Sequence, residues 1–343
     1  MYPDPASLER RNHGLRLAFA VALGLVFEIL RGALVPPLAA VIALQLLALP
    51  GSRPTAKMVV GFFVVIAGAS LFAYGVSALT ADRILPYAVG VGLIYLWGFA
   101  LAVQPKTAAV GAMVLTMGIV VTTMAAVSTA LTGILVAELL ISVAFGIALM
   151  FLAHALFPQQ AFATSGAAAG TEPIFGVGAR ALVATLIMLP LHLALTADGF
   201  AAMVVLLTVA TMLRQMRIEK AADYAANCVA GNLLGGLLAA AAVMVVSLHD
   251  TIPVLATVTA ASALIIAWWL ERVPALAHVL LPGFVGFAVL FGLAFTSSSL
   301  PADVELVKRL GQIVAASLYA LCAISLGLPL VRRLLPAAGV PAA

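Results

Sequence analysis

Apolar runs constrain this chain more than any other feature. Twelve follow one another along the sequence. The first six are Leu15–Gly32, Ala33–Leu49, Lys57–Leu79, Ile84–Val103, Thr107–Val127 and Leu131–Leu156. The second six are Gly176–Leu195, Gly199–Leu213, Ala221–Leu248, Thr251–Leu270, Ala275–Thr296 and Val307–Leu330. A bilayer core about 30 Å thick takes roughly 17–25 helical residues to cross. Inside it, every backbone polar group must bond within its own segment. The runs therefore predict an all-α polytopic membrane protein with about twelve transmembrane helices. Charged residues are only 9% of the chain and apolar residues 64%, with a mean hydropathy of +1.21. A soluble domain, about a quarter charged, does not fit.

Lys and Arg set the expected orientation. With the amino terminus inside, the cytoplasmic side receives Arg10, Arg11, Arg16, Arg53, Lys57, Lys106, Arg180, Arg214, Arg217, Lys220, Arg272, Arg332 and Arg333. The outer side keeps Arg31, Arg83, Lys308 and Arg309. Thirteen against four predicts that both termini are cytoplasmic. The predicted organisation is a cytoplasmic segment 1–14, a six-helix membrane repeat 15–156, a cytoplasmic linker 157–175, a second six-helix repeat 176–330 and a tail 331–343. The linker is rich in Ala, Gly, Ser and Gln, as flexible connections are. Residues 1–14 are polar and the run after them has no small-residue cleavage site, so that run is expected to stay as the first helix. Cys228 and Cys322 both lie inside apolar runs and outline neither a disulfide framework nor a metal site.

The two halves echo one another at an offset of 164. Arg16 opens the first run as Arg180 opens the seventh. A short run follows each, Ala33–Leu49 and Gly199–Leu213, and then a basic hinge, Arg53 and Lys57 against Arg214, Arg217 and Lys220. Ala67-Gly68 matches Ala230-Gly231, and Pro86 matches Pro253. Six spans return the chain to its starting side, so the repeats are expected to be parallel. The short runs are about 25 and 22 Å as helices. Pro36-Pro37 sit at the start of the first, and Pro190 is expected to interrupt the helix before the second. Short or broken segments at matching places point to a transporter's binding site; local thinning of the bilayer would explain them equally.

Few polar groups lie inside the runs. Glu28 has Arg31 three residues on and nearly on the same face, and position 28 + 164 is His192. Glu138 is followed at i+4 and i+8 by Ser142 and Gly146. Carboxylates and imidazoles are what proton-driven carriers use, which makes Glu28, His192 and Glu138 candidate proton-relay groups. An interfacial ion pair with Arg31 and a cap at the membrane surface are the plainer roles for Glu28 and His192. The sharpest expectation places Glu28 and His192 across the pseudo-symmetry axis or in one shared cavity. Arg31, Asn227, Asn232 and Gln45 are candidate substrate contacts. Asp223, Asn227, Gly231 and Gly235 recur every fourth residue, a stripe on one helix face, and Gly231, Gly235 and Gly236 are candidates for close helix packing. Tyr74, Tyr95, Trp97, Trp268 and Trp269 fit an interfacial belt or core packing, and His154 and His278 sit near cytoplasmic ends. His249-Asp250 stands without a nucleophile or ligand cluster, and Gly231 to Gly236 lacks the Lys-Ser/Thr of a phosphate loop. Neither an enzyme nor an ATP-driven pump is expected, and no cofactor.

Arg180, the run TVATMLRQ (Thr208–Gln215) and AGNLLGGLLA (Ala230–Ala239) resemble the second-half signature of the fusaric-acid-resistance and aromatic-acid-exporter superfamily, in its short members without large cytoplasmic domains. The opening LRLAFAVALGLVFEIL resembles that family's first helix. Its usual Gly-Thr pair reads Gly231-Asn232 here, and Cys228 stands near a position that is commonly basic. The resemblance implies an inner-membrane exporter of small aromatic or amphipathic organic acids, and the candidate relay groups Glu28, His192 and Glu138 add the expectation of proton coupling. A periplasmic membrane-fusion adaptor and a second copy of the chain are its candidate protein partners; nucleic acid is not expected. Plant relatives act as anion channels, so a channel and a non-transporting scaffold subunit are the alternatives. The major facilitator superfamily, also six plus six, ranks second because the loop PGSRPTAK lacks its Gly-x-x-x-Asp-Arg signature.

Overall fold

The computed structural model describes residues 5–47, 55–80, 82–104, 107–159, 177–196, 200–215, 218–249, 251–295 and 302–334. Among them the regular structure is entirely helical: α1 (Pro5–Leu30), α2 (Leu38–Leu47), α3 (Ala56–Thr80), α4 (Ile84–Val103), α5 (Ala108–Val127), α6 (Thr129–Leu156), α7 (Val177–Leu195), α8 (Phe200–Gln215), α9 (Ile218–Leu248), α10 (Ile252–Arg272), α11 (Ala277–Leu293) and α12 (Ala302–Leu334). A one-turn 3₁₀ helix, Pro274–Leu276, leads into α11. Nine helical segments among the described residues are long and apolar enough to cross a membrane, and α2, α8 and the Gly311–Leu326 part of α12 are shorter apolar helices. The chain is a multi-pass helical membrane protein. Leu79, Leu85 and Leu326 are more than three-quarters exposed, a placement that lipid, not water, makes favourable. Most of the expected linker (from residue 160), together with Arg53, Lys106 and Arg217, lies outside the described residues.

Local chemistry sets the ends. Gly32 takes a left-handed φ of 66°, its amide bonds to the Ile29 carbonyl, and the Ala33 amide reaches back to Glu28. That pair of bonds is the Schellman closure of a helix, for which a residue without Cβ is needed. Pro36 holds Val35 out of the helical region, so α2 starts only at Leu38 rather than at the expected Ala33. At ten residues it is about 15 Å long. Two expectations are corrected. The first helix starts at Pro5, not Leu15, because Leu8, Glu9, Arg10 and Arg11 are good helix formers that extend it. Pro190 lies within α7 and does not end it. A proline costs a membrane helix little where another donor serves the freed carbonyls. Here the Tyr319 hydroxyl donates to the Ile187 carbonyl at 2.8 Å, next to the Leu186 carbonyl that Pro190 deprives of its donor. Ser and Thr hydroxyls inside the helices mostly bond four residues back, as Thr185 does to Ala181 and Thr259 to Leu255, which satisfies them without a partner helix.

The chain forms two compact units, each drawing helices from both halves of the sequence. One comprises Met1–Phe63, Ala137–Ala167 and Ala226–Leu310; the other comprises Val64–Val136, Ala168–Ala225 and Gly311–Ala343. Helices α3, α6, α9 and α12 are divided between them.

In the first unit α1 packs along α10 and α2, and α11 touches all three. Small residues set the approach: Gly14 lies on Ala267, Gly24 on Ala40, and Gly292 on Pro37 and Leu25. Phe27 stacks on Phe145 with ring centres 3.8 Å apart. In the second unit α4 packs along α5 and α7, and α8 touches all three. There Gly111 lies on Ala102, Gly98 on Leu115 and Gly118 on Ile94, around buried Tyr95 and Phe99.

Candidate functional site

The Schellman turn explains the first polar cluster. Ending α1 at Leu30 leaves Arg31 as the half-helical residue beyond it, so its side chain can fold back over the last turn to Glu28. Nε and Nη2 of Arg31 both donate to Glu28 Oε2. Ser142 of α6 donates to the other oxygen, Oε1, at 2.7 Å. Glu28 is 0% exposed, and three donors satisfy its two oxygens there. Glu138, one turn before Ser142, takes the outer edge of the same guanidinium. Its Oε1 accepts from Nη1 at 3.0 Å, and its Oε2 lies 2.7 Å from Nη2. The second contact is close in distance but not aligned as a hydrogen bond, so Oε2 is buried without a donor. One guanidinium thus serves two carboxylates, side-on to Glu28 and end-on to Glu138. Ionised, the three groups sum to −1. Arg31 and Glu138 keep 24% and 21% of their side chains exposed, so the cluster is reachable. Gly146 completes the sequence stripe by admitting Ala39, Ile42 and Ala43 of α2.

The second cluster lies in the other unit and is neutral. His192 of α7 is 0% exposed, in the interior rather than at a membrane surface. Its Nε2 lies 3.0 Å from the Tyr87 hydroxyl and its Nδ1 2.7 Å from the Tyr95 hydroxyl. Tyr87 also bonds the Thr122 carbonyl at 2.8 Å. A carbonyl only accepts, so the single Tyr87 proton goes to Thr122 and the Tyr87 oxygen accepts from Nε2–H. The bare Nδ1 then accepts from Tyr95. The chain runs one way: Tyr95 to His192 to Tyr87 to the Thr122 backbone. Tyr87 and Tyr95, eight residues apart, stand two turns apart on one face of α4.

Glu28 and His192 therefore have separate sets of partners, each within its own unit. Gly231 and Gly235 of α9 meet α11 at Gly283, where a Cβ on Gly235 would lie 1.9 Å from the Gly283 oxygen; Gly236 is buried beside them. The Asn232 amide donates to the Cys228 carbonyl at 2.9 Å and packs on Gly286. Asn227 is half-buried and Asp223, at the start of that stripe, is exposed; Gln45 is half-buried on α2. An apolar crevice of about 290 Å³ between α9, α10 and α11, lined by Leu234, Leu238, Ile265, Trp269 and Leu280, presents little polar surface to a ligand. His278 is exposed, and the described residues contain no group of three metal-ligating side chains.

Two features escape sequence reading. The cation partner of Glu138 comes from 107 positions away, beyond any local pattern. The tyrosines that hold His192 leave a faint signal, their spacing of eight on an apolar helix. Comparison with family models, with curated proteins and with solved structures finds no match to this chain.

Proposed function

We propose that this protein is a proton-coupled secondary transporter of small organic anions, an exporter of aromatic or amphipathic acids in the inner membrane with both termini cytoplasmic. The observation that carries the reading is the shared guanidinium. A bidentate Arg–carboxylate pair is a strong, geometrically specific contact, and here the end-on partner is a carboxylate that can leave. Glu28, closed by three donors, keeps Arg31 in place. Glu138 occupies the fork that a substrate carboxylate would take. Protonation of Glu138 removes its charge and frees that fork; loss of the proton restores it. Ionisable groups of this kind within membrane helices mark ion and substrate paths.

Two parallel six-helix repeats underlie the architecture in this reading. The support is the equivalence of packing: α1 with α2 and α10 in one unit answers α7 with α8 and α4 in the other. The divided helices pair off as α3 with α9 and α6 with α12. The resemblance to aromatic-acid exporters favours small planar acids as substrates and a periplasmic adaptor as partner.

The test is counterflow of labelled benzenesulfonate into proteoliposomes holding the unlabelled anion. The sulfonate stays ionised and does not leak through lipid as a free acid. The unmodified protein exchanges it, Arg31→Gln does not, and Arg31→Lys exchanges weakly because an ammonium lacks the planar fork. Equal exchange by Arg31→Gln and the unmodified protein would remove Arg31 from the site. No exchange by the unmodified protein would favour a non-transporting scaffold.

A further inference from the structure

We infer that the Glu28–Arg31–Glu138 cluster takes up one proton and one monovalent anion together, so that the two cross the membrane in the same direction as an electroneutral pair. The inference rests on the transporter reading and deepens it by fixing the sign and the ratio of coupling.

The charge count decides the sign. Empty, the cluster holds one guanidinium and two carboxylates and sums to −1. An anion entering the end-on fork displaces Glu138. If Glu138 stays ionised the sum becomes −2, with its carboxylate left without its cation. Leaving a charge in that position without its partner is strongly unfavourable. If Glu138 takes a proton on Oε2, the oxygen that has no donor, the sum stays at −1 and every charge keeps a partner. The proton ends on the carboxyl and the anion on Nη1 and Nη2 of Arg31; no other bond changes. Exchange in opposite directions would need the carrier to cross with the anion bound and the proton absent, which is the −2 state.

Among the described residues, no other charged group bonds to the cluster. Glu9, Arg10, Arg11, His13 and Arg16 lie at the opposite end of α1, and Arg16 is about 18 Å along the helix from Glu28. Helix α2 has no titratable side chain. Glu271 and Arg272 of α10 belong to that far end too, because Ala267 meets Gly14 there. His278 of α11 is at the end away from Gly292, the residue that meets Leu25 and Pro37. His154 of α6 faces His13. Within this unit α9 brings only Cys228, Lys57 of α3 and Lys308 of α12 are exposed, and Asp303, Glu305 and Arg309 also belong to the α12 part of the unit. Among the described residues that bond within the cluster, a proton on Glu138 is the counter-charge its geometry offers. Export then runs on the anion's own outward gradient, and an inward proton gradient opposes it.

The experiment uses the full-length protein twice. In weakly buffered detergent with a pH dye, benzenesulfonate binding should remove about one proton from solution per anion bound. In proteoliposomes with a trapped dye, anion efflux should make the lumen alkaline. Clamping the membrane potential should change the rate less than twofold, whereas one uncompensated charge is biased about 50-fold per 100 mV. Glu138→Gln should take up no proton for each anion it binds, and the net flux it carries should become potential-dependent. Proton release on binding, or an acid lumen during efflux, would overturn the coupling and leave the transporter standing. Failure of the unmodified protein both to bind and to exchange benzenesulfonate would overturn the anion site itself, and the coupling with it.

Discussion

Gly235→Ala is the perturbation whose cost can be worked most directly from the structure. A methyl carbon at this position would lie 1.9 Å from the Gly283 oxygen, 2.8 Å from the Phe287 nitrogen and 2.9 Å from the Gly283 carbonyl carbon. A carbon and a carbonyl oxygen rest at about 3.3 Å, so α9 and α11 must separate by roughly 1.4 Å at their crossing. All three neighbours are backbone, and no rotamer change relieves them. Overpacking costs typically about 1–3 kcal/mol, and a rigid contact belongs at the upper end. Alanine recovers about 1 kcal/mol of helix propensity over glycine. The net loss is about 2 kcal/mol, close to 30-fold in the folded fraction. Denaturant unfolding in detergent reads this directly. Gly231→Ala, with 2.4 Å to the Val279 oxygen, should cost somewhat less, and Gly283→Ala, with 3.0 Å to the Gly231 oxygen, least. Gly68→Ala is the control: nothing lies within 4 Å of it, so it should be neutral or gain up to about 1 kcal/mol. Equal stability of Gly235→Ala and Gly68→Ala would mean that the two helices do not cross as described.

Three further outcomes are expected. Ser142→Ala removes one of the three donors to Glu28 and should lower stability by about 1–3 kcal/mol in thermal unfolding while anion exchange persists; loss of exchange at unchanged stability would give Ser142 a direct role. Tyr87→Phe strands the Nε2–H donor and takes the Thr122 carbonyl's second donor, whereas Tyr95→Phe strands only the Nδ1 acceptor, so the first should destabilise more in the same assay; the reverse order would mean that the hydrogen-bond direction is wrong. Cysteines introduced near either terminus of a variant lacking Cys228 and Cys322 should label only from the cytoplasmic side, and labelling from outside would break the repeat assignment.

Helix positions were legible because lipid leaves a backbone one choice. Residues 84–103 form α4 as the apolar run predicts, and most other ends fall within a few residues. Proline was over-read: Pro190 removes one helix donor, that of the Leu186 carbonyl, and α7 runs on through it. Small-residue pairs were ambiguous. Ala67-Gly68 and Ala230-Gly231 look equivalent in sequence, yet only Gly231 has a neighbouring helix against it. Whether a glycine packs or faces open space depends on the partner helix, which local sequence does not name. The charged cluster was half legible. Glu28 and Arg31 are three apart on one helix, while Glu138 reaches them only through the packing of α6 beside α1. Tyr95, which from sequence fits a belt or packing role equally, has its hydroxyl committed to His192.

The remaining question is whether His192 carries protons, as its match to Glu28 at the 164-residue offset would suggest under the proposed repeat, or only holds its helices. The two clusters differ in what they leave open. Around Arg31 one buried carboxylate oxygen has no donor and the charges do not cancel. Around His192 each ring nitrogen and each tyrosine hydroxyl is used, and the group is neutral. An imidazolium there would donate from both nitrogens and so require Tyr95 to turn from donor to acceptor, with no carboxylate placed against it. His192→Gln separates the roles. A glutamine amide offers an N–H to Tyr87 and a carbonyl oxygen to Tyr95, the same polarity as the neutral imidazole, but it cannot take a proton at any working pH. His192→Ala offers neither and leaves both tyrosines short of a partner, a loss of about 2–6 kcal/mol at roughly 1–3 per stranded group. If His192 only holds α4 and α7 together, His192→Gln should keep most of the stability that His192→Ala loses. It should also take up one proton per bound anion as the unmodified protein does. A His192→Gln variant that is well folded and binds the anion, yet moves no proton, would make the imidazole part of the path and refute the assignment of the proton to Glu138 alone.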